Sequence, residues 1–406
     1  MGNPNLRRLV RRRLGNYVDM TALTAPAGVT YETISSDASF AALEGSWDDL
    51  VRGMPRPSPV LLHGWLRAWW RYYGDGGRLA VHVAHRGGKL VGALPLCVLR
   101  RRGLETLTFL GAEQTALADL LLAEGESDVV GSALAERAVS SEHDFADFFG
   151  LPASSRLTAA LGPSRLRLFL RAEAPVLDLN GRDWDAVYRT RLSSKQRSLR
   201  RRRSRQLAEL GRLETTVART GEELGPALED AFAVHALRWR GRPDGSEFGT
   251  TTGRRFHREA TSALGELDVL RIVTLKLNGR PIAFVYYFVL EGRMYCYRLA
   301  FDPEFQRFSP GVVNRFDALE TAFAEGATRV EFLGGAERYK MELADRFEPL
   351  YEGLGLARSV PGRAALAGRV NAIRLRRFLK RSASIRRFYY EGLAPARRLF
   401  RVGGRT

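Results

Sequence analysis

Apolar residues in this chain fall into short runs separated by turn residues, and one such pattern occurs twice. Between Leu79 and Leu110 the order is Leu79–His85, the pair Gly87-Gly88, Leu90–Leu99, the turn Arg101-Arg102-Gly103, and Leu104–Leu110. Runs of this length bounded by glycine turns predict three strands joined by hairpins. The pattern returns as Val269–Leu277, Asn278-Gly279, Ile282–Leu290, Glu291-Gly292 and Arg293–Leu299. The turn glycines Gly88 and Gly279 lie 191 residues apart, and helical sequence flanks both meanders. The chain therefore reads as an α/β protein made by tandem duplication. Each unit has a mixed central sheet flanked by helices. The expected division is 1–30 as a basic arm, 31–172 and 173–358 as the two units, and 359–406 as a basic helical tail.

The best-defined helix follows the second meander. Ser309 is placed to cap it, Pro310 suits its first position, and Val312, Phe316, Leu319 and Phe323 recur on one face until Gly326 ends it. A short strand Arg329–Leu333 and the pair Gly334-Gly335 come next. The stretch Arg189–Arg212 reads as one helix with a narrow stripe of Leu192, Leu199, Leu207 and Leu210 among arginines.

Charge sharpens this division. The 406 residues carry a net charge of +18, but three segments hold more than all of it. Residues 1–19 sum to +4, residues 189–212 to +9 and residues 361–406 to +12, which leaves −7 on the remainder. A mildly acidic body with basic attachments argues against a chain-wide nucleic-acid binder and leaves local anion binding open. The longest apolar run, Ile282–Leu290, is nine residues, well short of the roughly 20 of a membrane-spanning helix. The basic N-terminus lacks the apolar stretch of a secretory signal. The two cysteines, Cys97 and Cys296, are too few for a disulfide framework and read as reduced core residues. With six histidines and His82 and His85 on opposite faces of a strand, no metal site is expected.

The turn Phe305–Val313 is the first candidate for chemistry. A helix N-terminus presents backbone N–H groups and a partial positive charge to an anion, and Arg307 adds a full charge. Ser309, Gly311, Val312 and Val313 complete it; the plainer alternative is an ordinary strand-to-helix connection. His235, Arg238 and Trp239 share one helix face and form a candidate acceptor-site wall, with core packing as the alternative. The basic helix has three readings: a solvated face, a dock for an anionic acceptor or lipid headgroup, and a phosphate contact for nucleic acid. It lacks the interleaved aromatics of a base-stacking surface. The tail, with Phe388, Tyr389 and Tyr390, is suited to an anionic membrane surface.

The order of meander, Arg-x-x-x-Gly turn, helix and strand resembles the GNAT acyltransferases. More narrowly, the chain resembles the acetyltransferases associated with bacterial cellulose biosynthesis (CelD-type), relatives of the Fem-type tandem GNAT transferases. The likeness rests on Trp47-Asp48-x-Leu50, Gly64-Trp65-Leu66-Arg67-Ala68-Trp69-Trp70, Val91-Gly92-Ala93-Leu94-Pro95-Leu96 and Phe109-Leu110-Gly111 in the first half. In the second it rests on Leu192-Ser193-Ser194-Lys195, His235-x-x-Arg238-Trp239, Ser309-Pro310-Gly311, Glu331-Phe332-Leu333-x-Gly335 and Tyr339-Lys340. It spans roughly residues 40–356.

The resemblance implies tandem GNAT-like units and an acetyl-CoA or other acyl-CoA co-substrate whose pyrophosphate lies over Arg307–Val313. The first half has Gly111-Ala112-Glu113-Gln114 in the equivalent place, and Glu113 would repel a diphosphate, so only the second unit is expected to bind donor. Tyr339 is placed to protonate the leaving thiolate, Lys340 to meet a phosphate or the substrate, and Glu331 and Asp302 are the candidate bases; the plainer alternatives are a tyrosine packed under the glycine pair, a solvated surface lysine and a glutamate facing solvent from a strand end. The expected activity is transfer of an acyl group from CoA to an amine or hydroxyl of a sugar, polysaccharide precursor or other small acceptor. The expected location is the cytoplasm, with possible contact at an anionic inner membrane face. Two alternatives remain: a Fem-type transferase using aminoacyl-tRNA, and a non-catalytic scaffold in polysaccharide biosynthesis.

Overall fold

The structure, a computed structural model, describes residues 28–114, 116–240, 246–335 and 337–381. The first half contains β1 (Val29–Ile34), α1 (Asp37–Ala41), α2 (Glu44–Arg52), α3 (His63–Tyr73), β2 (Arg78–Leu79), β3 (Val81–Arg86), β4 (Lys89–Leu94), β5 (Leu96–Arg101) and β6 (Leu104–Phe109). It continues with β7 (Leu121–Leu122), α4 (Asp128–Ser140), β8 (Phe145–Pro152), α5 (Arg156–Arg165) and β9 (Leu166–Asp178). Helices α6 (Trp184–Arg191) and α7 (Ser194–Ala208) lead to the second half. That half contains β10 (Leu213–Ala218), α8 (Gly221–Trp239), α9 (Thr251–Glu266), β11 (Leu270–Leu277), β12 (Arg280–Leu290) and β13 (Arg293–Phe301). Then come α10 (Pro310–Ala324), β14 (Arg329–Glu331), α11 (Arg338–Leu343) and β15 (Arg346–Gly355), with α12 (Val360–Arg381) beyond. Most of the N-terminal arm and the tail after Arg381 lie outside the described residues.

The strand pairings bear the duplication out. In the second half β10, β11, β12 and β13 are successive antiparallel neighbours, and β13 runs parallel to β14. In the first half β1 pairs antiparallel with β3, β3 with β4, and β5 with β6, while β6 runs parallel to β8. The strand expected over Leu90–Leu99 is in fact two. Pro95 cannot donate to a ladder, and at that residue the chain leaves the four-stranded sheet β1-β3-β4-β7 for the main sheet. The Asn278-Gly279 hairpin forms as read, with both residues at positive φ (50° and 79°), as a tight primed turn demands.

The closing strands are exchanged between the halves. β9 ends the first half but pairs with β14, and β15 ends the second half but pairs with β8; β9 and β15 also pair with each other. One eleven-stranded sheet, β10-β11-β12-β13-β14-β9-β15-β8-β6-β5-β2, therefore runs through both units. Residue 172, where the sequence suggested the division, lies inside β9.

The helix expected over Arg189–Arg212 is broken in two. Leu192 is extended and Ser193 caps α7, its hydroxyl accepting from the Gln196 N–H (3.2 Å) while the Gln196 side chain accepts from the Ser193 N–H (2.8 Å). This reciprocal capping box starts a new helix within the basic run.

The tryptophan-rich α3 joins the halves by packing on α9. The buried Trp65 ring meets Phe256, Phe288 and Tyr297 edge-on at 4.8–5.6 Å between centroids. Gly64 permits this approach, since a Cβ there would lie 2.7 Å from the Ala263 Cβ. Gly64→Ala should therefore cost about 1–3 kcal/mol through overpacking. In urea denaturation, Ala263→Gly should recover part of that loss beyond its own helix penalty, so a double-mutant cycle without coupling would contradict this contact.

Candidate active site

The parallel strands β13 and β14 pair only where Arg293–Tyr295 meets Arg329–Glu331. β14 ends there while β13 runs on to Phe301, and Phe332 turns instead to the Pro175 carbonyl of the exchanged strand. A wedge thus opens along the second half of β13. On its other side the β12 register slips between Tyr286 and Tyr287, leaving Tyr297 as an extra residue in a bulge. Such a bulge redirects side chains at the mouth of the wedge.

Beyond Phe301 the chain makes a short 3-10 turn (Pro303–Phe308) and enters α10. The basic helix α7 lies across this entrance. Arg203 donates to the Ser309 Oγ (2.8 Å) and to the Arg307 carbonyl. Arg200 donates to Asp317 (3.0 Å) and lies over the Tyr188 and Phe316 rings at 5.4 and 4.9 Å. Between α7 and α10 is a cleft of about 500 Å³. Its charged lining is Arg200, Arg203, Arg315 and Glu342; Leu199, Val312, Phe316 and Leu343 supply the apolar part. Gln196, Leu199, Arg200 and Arg203 fall at i, i+3, i+4 and i+7, a single helix face. That spacing was readable in the sequence, but the partner of that face was not.

The five residues expected to hold the donor have separate fates. Ser309 and Val312 line the cleft. Arg307 is exposed, its guanidinium 4.5 Å from the Phe308 ring. Val313 points into the core. Gly311 is required by the Phe301 ring, which a Cβ would approach to 2.9 Å. Ser309 precedes the helix but its side chain does not cap it, contrary to expectation. The residue sits in the left-handed region (φ 51°), which turns its hydroxyl to Arg203, and its carbonyl takes the Val312 and Val313 N–H groups at 2.9 and 3.3 Å. The positive character of the site therefore comes more from the α7 guanidinium groups than from free helix N–H groups.

The two candidate bases are each engaged in separate ion pairs. Asp302 caps the 3-10 turn through the Glu304 N–H (3.0 Å) and pairs with Arg280. Glu331 is fully buried, held by Arg56 (2.8 Å) and Arg329 (2.7 Å), and so does not face solvent at the strand end. Tyr339 stands in α11, whose Glu342 and Leu343 line the cleft; its side chain lies outside the described residues, as does that of Glu113. Lys340 is no solvated surface lysine. It is buried, with Nζ donating to the Gly334 carbonyl (3.1 Å) and pairing with Glu337 (3.0 Å), and it ties down the turn after β14.

His235, Arg238 and Trp239 sit together at the end of α8. His235 stacks on Trp239 and meets Phe248 edge-on, with centroids 5.7 and 5.1 Å apart. Arg238 lies 4.7 Å over Phe301, the ring that also packs against Gly311, so this group borders the entrance of α10. Two neighbours escaped the sequence reading. Arg298, beside the bulge, lies over Phe248 and Tyr297 at 5.3 and 5.0 Å, and His257 is buried in the same aromatic cluster. Burial, helped by Arg298 and Arg254, pushes His235 down to about 4 from its ordinary 6.5. An unfolded chain would take up this proton first as the pH falls. Its stabilising contribution is therefore present above about pH 6.5 and lost toward pH 4. His235→Gln should make thermal stability fall less steeply than in the unmodified protein across that window; parallel melting-temperature profiles would contradict the assignment.

Comparison with known proteins agrees with this topology. The family model of the acetyltransferase (GNAT) domain matches residues 194–341, from the start of α7 into α11. No curated protein matches the chain significantly in sequence. A conserved protein of unknown function from Bacteroides thetaiotaomicron superposes with a TM-score of 0.54 at 14% identity, covering 80% of this chain and 100% of its own. The C-terminal domain of an Agrobacterium fabrum protein named as a lysylphosphatidylglycerol synthetase gives 0.53 at 15% identity, with coverages of 82% and 95%. FemX gives 0.53 at 11% identity, with coverages of 80% and 96%. At such identities the likeness establishes the fold alone, an α/β fold of GNAT type, and the match to the acetyltransferase (GNAT) domain model falls within the second unit.

Proposed function

We propose that this chain is an acyltransferase that draws an acyl group from acyl-CoA and delivers it to an amine or hydroxyl of a sugar, polysaccharide precursor or other small acceptor of the CelD type. One observation carries the reading. Between α7 and α10, a cleft joins guanidinium groups to an apolar wall at a helix entrance. A CoA ester has the complementary make-up, a polyanionic diphosphate joined to a long, largely neutral arm. Arg203 is suited to the diphosphate because its hydrogen bonds go to neutral oxygens, the Ser309 hydroxyl and the Arg307 carbonyl. Arg200 is already balanced by Asp317 and Glu320 and acts mainly to fix α7 on α10. The matched acetyltransferase domain contains most of the cleft lining.

In this reading the uncovered edge of β13 guides the donor's arm toward the bulge at Tyr297, and the acceptor enters beside His235, Arg238 and Trp239. His235 is neutral near pH 7, its protonated form disfavoured by burial, and so can accept a hydrogen bond from the acceptor. Tyr339, on the helix bordering the cleft, is assigned the proton that the departing thiolate needs.

A second reading keeps the acyl-transfer chemistry and replaces CoA by aminoacyl-tRNA. It is favoured by the outer face of α7, where Arg201, Arg202 and Arg205 are exposed. Calorimetric titration separates the two. Acetyl-CoA should bind, and Arg203→Glu should weaken it by at least about tenfold through loss of a charge-assisted contact and introduction of repulsion. Tyr339→Phe should leave that affinity unchanged while slowing thiol release with any acceptor that supports turnover. Binding of tRNA with a steep salt dependence and none of CoA would establish the second reading. Binding of neither would leave a scaffold.

A further inference from the structure

Helix α12 lies outside the donor cleft and outside the matched domain. Over its 22 residues it has six arginines and one lysine and no acidic residue. Its first turns are fixed to the body. Arg369 pairs with Glu352 (2.8 Å) and Asp147 (3.4 Å), Val370 is buried, and Gly362 fits a place where a Cβ would lie 2.1 Å from the Asp144 carbonyl. Just ahead of it, Arg358 donates to the carbonyls of Val139, Ser140 and Ser141 at the end of α4.

The later turns are different. Asn371, Arg374, Leu375 and Phe378 occupy one face at i, i+3, i+4 and i+7, and all are exposed. Leu375 and Phe378 are among the most exposed large apolar side chains described, at 57% and 64%. Arg374 and Arg376 are exposed beside them, and Arg377 is braced on the Leu170 carbonyl. Two large apolar side chains held in water, with Arg374 on their face and Arg376 on the flank of Leu375, suit a surface that is apolar beneath and anionic above.

We propose that the outer face of α12 docks the protein on an anionic lipid surface, with Leu375 and Phe378 entering the headgroup–acyl boundary and Arg374 and Arg376 meeting lipid phosphates. The helix lies in the interface plane, since no described helix is long and apolar enough to cross a membrane. Charge complementarity selects the occupant. A neutral bilayer would leave the arginines unanswered, and a nucleic acid would answer them but not the two apolar side chains. Because the inner face of α12 is tied to β8 and β15, docking also fixes the body's orientation at the surface.

The test is co-sedimentation of the full chain with vesicles. Those containing about 30 mol% phosphatidylglycerol in phosphatidylcholine should bind it, phosphatidylcholine alone should not, and high salt should weaken but not erase binding. Leu375→Glu/Phe378→Glu should reduce vesicle binding at least about tenfold without changing the melting temperature or CoA affinity, since both side chains are exposed. Leu375→Ala/Phe378→Ala, which adds no charge, should give a smaller loss in the same direction. Unchanged binding by both variants would overturn the proposal. So would equal binding to neutral vesicles, or RNA binding tighter than vesicle binding and unaffected by either variant. None of these outcomes depends on the identity of the acyl donor.

Discussion

Each half of the protein completes the other's sheet. β9 leaves the first half to pair with β14, and β15 leaves the second to pair with β8. A strand edge buried without a partner would strand a row of N–H and C=O groups, so neither half can close its sheet alone. The wedge at the candidate site follows from the same arrangement. Phe332 bonds to β9 rather than following β13, and Cys296–Phe301 is left without a strand partner on that side. The geometry that opens the site is thus imposed by a strand from the other half.

The junction is reinforced by two unlike interactions. One is aromatic: α3 inserts Trp65 among Phe256, Phe288 and Tyr297, with Gly64 setting the approach. The other is ionic: Glu331, with no solvent exposure, is held by Arg56 from the first half and Arg329 from its own strand, and Glu348 on β15 meets the same two guanidiniums. Removing one partner from a buried group of this kind leaves an uncompensated charge, at a cost of roughly 3–5 kcal/mol. This explains why Glu331, a reasonable base by position, is structural by environment.

The repeated meanders, the Asn278-Gly279 turn and α10 were legible because each is specified by neighbours in the chain: strand alternation, positive φ at two adjacent residues, a 3.6-residue stripe. The misreadings were also local conflicts. Pro95 splits a strand that its apolar neighbours made continuous, and the Ser193–Gln196 capping box divides a run that its arginines made uniform. Both signals were present and were outweighed by longer-range averages. At the candidate site, the turn Arg307–Val313 was legible as a helix entrance, but the side chains that engage its residues were not. Phe301 claims Gly311, and Arg203 claims the Ser309 hydroxyl, from positions about 10 and 106 residues away.

The sequence by itself determined the elements, their duplication and the concentration of charge into three segments, because these depend on residues close together in the chain. Only the tertiary structure decided what those charges face. In α7, Arg200 is turned to Asp317 and Arg203 to the α10 entrance, while Arg201, Arg202 and Arg205 are left to solvent. In α12, Arg369 is spent on Glu352 and Asp147, while Arg374 and Arg376 remain exposed beside Leu375 and Phe378. A guanidinium has the same charge wherever it stands in a sequence. Its contribution is set by the carboxylate, carbonyl, ring or water that folding brings beside it, and that is a property of contacts between distant residues.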